Sequence, residues 1–131
     1  MSLTKVTLIG TFRRDPEGLK KIFQELSAAF DLLSPHSVDF LDFSVEFVKA
    51  KHEKDDSVRT IEDRVLHAIK QSDAIWLFAP GGYIGVSTAF EIGFALSINV
   101  PVYTNTLPSD PLLKTMVTKV DSVSDLINTT T

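Results

Sequence analysis

The chain contains no cysteine. That excludes a disulfide framework and any thiolate metal site, and it fits a cytoplasmic protein. Its three histidines, His36, His52 and His67, are scattered without His-x-x-x-His spacing, so no metal and no cofactor is expected. No apolar run approaches the ~20 residues that a membrane span needs, so no membrane partner is expected. Positive charge is scarce: 13 Lys and Arg against 17 Asp and Glu leave a net charge of −4. A nucleic-acid polymer wants a basic face and is not an expected partner, whereas a small anion needs only one or two local cations. The first residues, MSLTKV, lack a leader pattern and run directly into strand-like sequence.

What is present describes one ordinary domain over residues 1–131, 44% apolar and 23% charged. A chain of this length buries roughly two-thirds of its unfolded surface, enough for one sizeable core. KVTLIG at residues 5–10 is a short β-branched run and predicts a buried strand. Asp15-Pro16-Glu17 is a helix start, with a capping carboxylate, a proline for the first turn and an acid at the positive helix end. Leu19, Ile22, Phe23, Leu26, Phe30 and Leu33 keep helical spacing, which predicts a helix running to Leu33 and stopped by Ser34-Pro35.

Residues 37–48, SVDFLDFSVEFV, alternate apolar and polar, the pattern of a half-exposed strand at a sheet edge. The charged stretch 49–59 predicts a loop or lid. Thr60-x-x-Asp63 resembles a capping box opening a second helix, which carries Ile61, Val65, Leu66 and Ile69 and ends near Ser72. AIWLFA at 74–79 is apolar throughout and predicts a central strand buried on both faces, with Trp76 in the core. A third helix follows over 86–98, then a strand at 101–104, a short helix over 111–116, a further strand and a last helix. Strands alternating with helices predict an α/β three-layer sandwich with about five parallel strands, flavodoxin- or Rossmann-like. In such sheets ligands bind beyond the carboxyl ends of the strands. The loops GTFRRD, PGGYIGVS and TNTLPSD are expected to meet there.

Within PGGYIGVSTAFEIGFALS, Gly81, Gly82 and Gly85 let backbone amides approach a ligand, and Ser87 and Thr88 begin the third helix, where hydroxyls and free amides can hold an anion or a sugar. Glu91 is the one charge in the following apolar helix, on the face of Ser87 and Thr88. An unpaired buried carboxylate is costly, so Glu91 calls for a partner or a chemical task. Tyr83 can wall a pocket, Phe12 can stack on a base, and Arg13 or Arg14 can hold a phosphate.

The run from Ser72-Asp73-Ala74 through GVSTAFEIGFALS to VPVY resembles the nucleoside 2-deoxyribosyltransferase family, and GTFRRD is similar to the first turn of the related 2'-deoxynucleoside 5'-phosphate N-glycosidases. The resemblance implies that Glu91 is a nucleophile attacking the anomeric carbon of a deoxyribose, with a glycosyl-enzyme ester resolved by water or a second base. It implies a nucleoside or nucleotide ligand contacted by Gly10, Thr11, Phe12, Arg13, Gly82, Tyr83, Gly85, Ser87 and Thr88, and a homo-oligomer. Gly85 stands where that family carries an acid or a phosphate-binding serine, and Val65 where it carries a proton-handling aspartate. Asp63, two positions away, is the candidate for that second role, with Glu62 ranked behind it. Asp73 is read as structural. Two other readings compete: a non-catalytic nucleotide sensor, and a cytokinin-type phosphoribohydrolase suggested by PGG followed by a hydroxyl and Glu91. A flavin-binding redox protein ranks last, because the first turn lacks a Ser/Thr-rich phosphate loop.

Overall fold

The apolar run Lys5–Gly10 forms strand β1, and Asp15 then starts helix α1 (Pro16–Ala29) by accepting the Gly18 N–H at 3.0 Å. The structure, a computed structural model, describes residues 4–128. The leader reading and the outermost ends of the 1–131 unit lie outside the described residues. After α1 come strand β2 (Asp31–Ser34), a short 3-10 turn at Lys51–Glu53, helix α2 (Val58–Gln71), strand β3 (Ala74–Phe78), helix α3 (Val86–Ser97), strand β4 (Val102–Thr104), helix α4 (Leu113–Met116), strand β5 (Thr118–Lys119) and helix α5 (Val123–Asn128).

The five strands lie in the order β2-β1-β3-β4-β5, and every neighbouring pair is parallel. Period-two alternation divides the two central strands between faces. Val6, Leu8 and Trp76 pack with Leu19, Ile22 and Leu26 of α1 and Leu126 of α5. Ile9, Ile75 and Leu77 pack with Ile69 of α2 and Ile92 and Ala95 of α3. The result is the expected three-layer α/β sandwich. Its central pair is tied at the start by Asp73, whose carboxylate accepts the N–H groups of Thr4 and Lys5, both at 3.0 Å. The chain leaves β1 toward one sheet edge and returns past it to β3, so the loops after β1 and β3 diverge and open a crevice between them.

Three boundary expectations change. The first helix stops at Ala29, and Leu32 and Leu33 belong to β2, where Leu32 pairs with Val6. A short apolar run suits either a helix end or a strand, and pairing along β1 decides for the strand. Pro35 therefore follows a strand rather than a helix. Residues 37–48 form no strand. They run irregularly and are clipped at their ends, where Leu41 N–H donates to Lys49 O at 2.9 Å and Lys51 N–H to Asp39 O at 3.1 Å. Their alternation is nonetheless a packing pattern: Phe40 is buried in the first core cluster, with Val38, Phe43 and Val48 packed against it. Finally, α2 is capped by Ser57, whose Oγ accepts Thr60 N–H at 3.1 Å, so Thr60-x-x-Asp63 is not its capping box.

Candidate functional site

The crevice beyond the ends of β1 and β3 holds a cavity of about 240 Å3. Its floor comes from Gly10 and the turn after β1, its sides from α2 and the start of α3, and its remaining wall from residues 34–53. Backbone geometry locks the floor. Thr11 N–H donates to Phe78 O at 3.1 Å, and Thr11 Oγ1 donates to Tyr83 O at 3.2 Å, joining the two loops. Gly10 has φ 147°, and a Cβ there would collide with the Phe78 carbonyl. Only glycine lets β1 end this close to β3. Phe12 stacks on Phe40 with ring centroids 5.7 Å apart, which ties the first turn to the 37–48 segment. Arg14 lies over the Tyr83 ring, 3.7 Å from its centroid.

Helix α3 begins with Gly85 as its N-cap and no side-chain cap, so the first amides of the helix are left open toward the cavity. Thr88 is only 5% exposed, and its hydroxyl has no hydrogen-bond partner among the described residues. One turn further on, Glu91 is 7% exposed and faces the same cavity. None of the ion pairs among the described residues includes it.

Its partner is another acid. Glu62, half-buried on α2, reaches the Glu91 carboxyl and interacts with it directly. Burial, then the hydrogen bond with Glu62, then the Glu62 charge hold the Glu91 carboxyl well above the usual carboxylate range. Burial also raises Glu62, opposed by its hydrogen bond with Glu91 and reinforced by the Asp63 charge. Two ionised carboxylates have no proton to donate, and Glu62 Oε2 is then a buried acceptor without a donor. One proton held on Glu91 gives the pair its donor. Burial and mutual repulsion thus disfavour a second negative charge, the condition under which two crowded carboxyls share a proton.

Most sequence-predicted residues meet here. Gly10, Thr11, Phe12, Arg13, Tyr83, Gly85, Ser87, Thr88 and Glu91 all line the cavity. Two do not. Gly82 turns away with φ 81°, and its carbonyl accepts Ser109 N–H at 2.9 Å and Ser109 Oγ–H at 3.2 Å. Its role is to let the 105–110 loop pack beneath the turn, so the TNTLPSD loop does not line the cavity either. Asp63 is exposed, pairs with Arg59 at 2.9 Å and lines a second, more open groove on the far side of α2 together with His67. His67 is likewise exposed.

Glu62 carries the position expected of Asp63, and the sequence does hold the signal. Glu62 lies three and four residues before Val65 and Leu66, within the apolar stripe, as Glu91 lies within that of α3; Asp63 is rotated about 100° out of it. The wall formed by Pro35, Phe40, Glu46, Phe47, Val48 and Glu53 was hidden by the strand-like alternation. Among the described residues there is no group of three or more side chains suited to a metal ion. No helix is long and apolar enough to cross a membrane. Comparison with known proteins finds no matching family model and no matching curated protein.

Proposed function

We propose that the chain breaks the N-glycosidic bond of a (deoxy)nucleoside or its 5'-monophosphate, passing the sugar to water or to a second base, with Glu91 as nucleophile and Glu62 as proton donor and acceptor. The observation that carries this reading is the Glu62–Glu91 carboxyl pair inside a cavity at the switch point of the sheet. A single proton shared between two carboxyls provides both reactive forms at once. The shared proton first passes from Glu91 to Glu62, and the Glu91 carboxylate so freed attacks the anomeric carbon. The bond to the base breaks, and its electron pair takes the Glu62 proton. Water then adds to the anomeric carbon while Glu62 recovers a proton from it, and the Glu91 ester is released as carboxylate. Burial raises the Glu62 carboxyl, which suits an acid that works near neutral pH.

The cavity also fits the ligand class. Its volume of about 240 Å3 lies just below the roughly 300–1,000 Å3 of small-molecule sites. That is space for one nucleoside rather than a dinucleotide. Phe12, Phe40 and Phe47 offer aromatic surface for a base, and the Ser87 and Thr88 hydroxyls with the open α3 amides offer partners for a sugar. A second copy of the chain belongs to this reading: on α3, Val86 is 90% and Phe90 55% exposed, an apolar stripe beginning at the cavity that a homo-oligomer would cover. A cytoplasmic site of action belongs to it as well.

A base-release assay tests the reading. Each 2'-deoxynucleoside and 5'-monophosphate is incubated with the protein, with and without a second free base, beside Glu91→Gln and Glu62→Gln. Release abolished by Glu91→Gln and reduced ~10²-fold or more by Glu62→Gln is expected. No release from any substrate, with a nucleoside still raising the melting temperature, would replace the enzyme by a nucleoside-binding sensor.

A further inference from the structure

The charge around the cavity narrows its ligand. We propose that Glu46 and Glu53 are specificity-determining residues that keep phosphorylated ligands out, so that the site takes the uncharged nucleoside and not its 5'-monophosphate. The inference rests on the nucleoside reading above and deepens it. Among the described residues four glutamates line the cavity, Glu46, Glu53, Glu62 and Glu91, against one cation, Arg13. Glu62 and Glu91 share a proton, so the pair still contributes one negative charge. Glu46 and Glu53 add a carboxylate each, from the segment that builds the wall beside α2, Glu53 half-buried and Glu46 at the exposed rim.

Glu53 is fixed there, because its Oε1 accepts Ala50 N–H at 2.9 Å at the head of the Lys51–Glu53 turn. It is not a surface side chain free to swing into solvent. No other cation among the described residues lines the cavity: Arg14 lies on the Tyr83 ring, Lys49 on the Asp56 carbonyl at 2.7 Å, Lys51 on the Asp39 carboxylate at 3.2 Å and Arg64 on the Asp56 carboxylate at 2.7 Å. A phosphate dianion would bring two further negative charges into this wall, and Arg13 would offset one of them. The open amides of α3 with Ser87 and Thr88 cannot reverse the balance, because Glu91 stands one turn away on the same face. Uncharged sugar hydroxyls, by contrast, can use Arg13, Ser87 and Thr88 at no electrostatic cost. Two carboxylates a cavity's width from a phosphate in a half-wetted site together alter its binding constant by roughly tenfold.

The test uses Glu91→Gln, which prevents turnover while leaving Glu62 free to carry the charge of the pair. Binding of deoxyadenosine and of deoxyadenosine 5'-monophosphate is measured by calorimetry, and base release from deoxyadenosine by the wild-type chain is followed in parallel. The nucleoside is expected to bind at least about tenfold more tightly than the monophosphate. Adding Glu46→Gln and Glu53→Gln together should shrink that ratio about tenfold. Glutamine at position 53 keeps an oxygen for Ala50 N–H, and a ratio is insensitive to the fraction of protein folded. A monophosphate that binds as tightly as the nucleoside, or a ratio unmoved by the double substitution, overturns the proposal. Base release without discrimination would overturn the exclusion and leave the N-glycosidic reading standing. Discrimination without release would do the reverse, and failure of both ligands to bind would sink both.

Discussion

Replacing Glu91 by glutamine should stabilise the protein, and increasingly so as the pH rises. In the wild-type fold the Glu91 carboxyl is raised by burial and by Glu62. Its protonated form therefore favours the native state. That contribution is fully present below the unfolded value of about 4.5 and is lost as the pH climbs through the folded value. Each unit of pKa elevation corresponds to about 1.4 kcal/mol. Once the shared proton leaves, Glu62 Oε2 is a buried acceptor with no donor, a condition that costs about 1–3 kcal/mol. Glutamine has nearly the same shape and carries an N–H donor at every pH. The variant should therefore match the wild type near pH 4.5 and exceed it by about 1–3 kcal/mol at pH 9, or some 3–10 °C in Tm for a domain of this size. Thermal melts of both proteins at several pH values decide the matter. A stability gap that stays constant from pH 5 to 9, or a variant less stable throughout, would refute the idea of a proton-sharing pair. A gain in stability on loss of the carboxyl also marks a group kept for chemistry rather than for folding.

Other outcomes follow from the same packing. Trp76 is fully buried and its Nε1–H has no partner among the described residues, so Trp76→Phe should cost less than a typical core truncation, about 1 kcal/mol or less in chemical denaturation. Gly10→Ala should unfold the site or the chain, with a loss of about 3 kcal/mol or more by the same method, because the new Cβ meets the Phe78 carbonyl at a φ of 147°. Asp73 is held below the usual carboxylate range by the N–H groups of Lys5 and Thr4. Its stabilising contribution is present above the unfolded value of about 3.8 and is lost as the pH falls, so Asp73→Asn should flatten the acid limb of a stability–pH curve.

The layer order was legible because β1 and β3 are apolar at nearly every position, as strands covered on both faces must be. The nucleophile candidate was legible for the converse reason: one carboxylate in an apolar helix has no structural excuse. Asp63 misled because an acid three residues after a threonine imitates a capping box, while the cap is supplied by Ser57. Helical angle separates Glu62 from Asp63, and the apolar stripe of α2 carries that information. The 37–48 segment was opaque for a different reason. Alternation records which side chains face the interior, and it does so equally for a strand and for an irregular stretch laid over a core. Whether a neighbouring backbone is there to pair with is a tertiary fact, and here the edge position belongs to Asp31–Ser34.

The central claim is that Glu91 forms a bond to the sugar. Incubating the protein with a 2'-deoxy-2'-fluoroarabinosyl nucleoside, whose fluorine slows hydrolysis of a glycosyl ester, and mapping the product by peptide mass spectrometry tests that bond directly. The account predicts one fluoroarabinosyl adduct, located on Glu91 and absent in Glu91→Gln. An adduct on Glu62 or elsewhere, or released base with Glu91 unmodified throughout turnover, would contradict it.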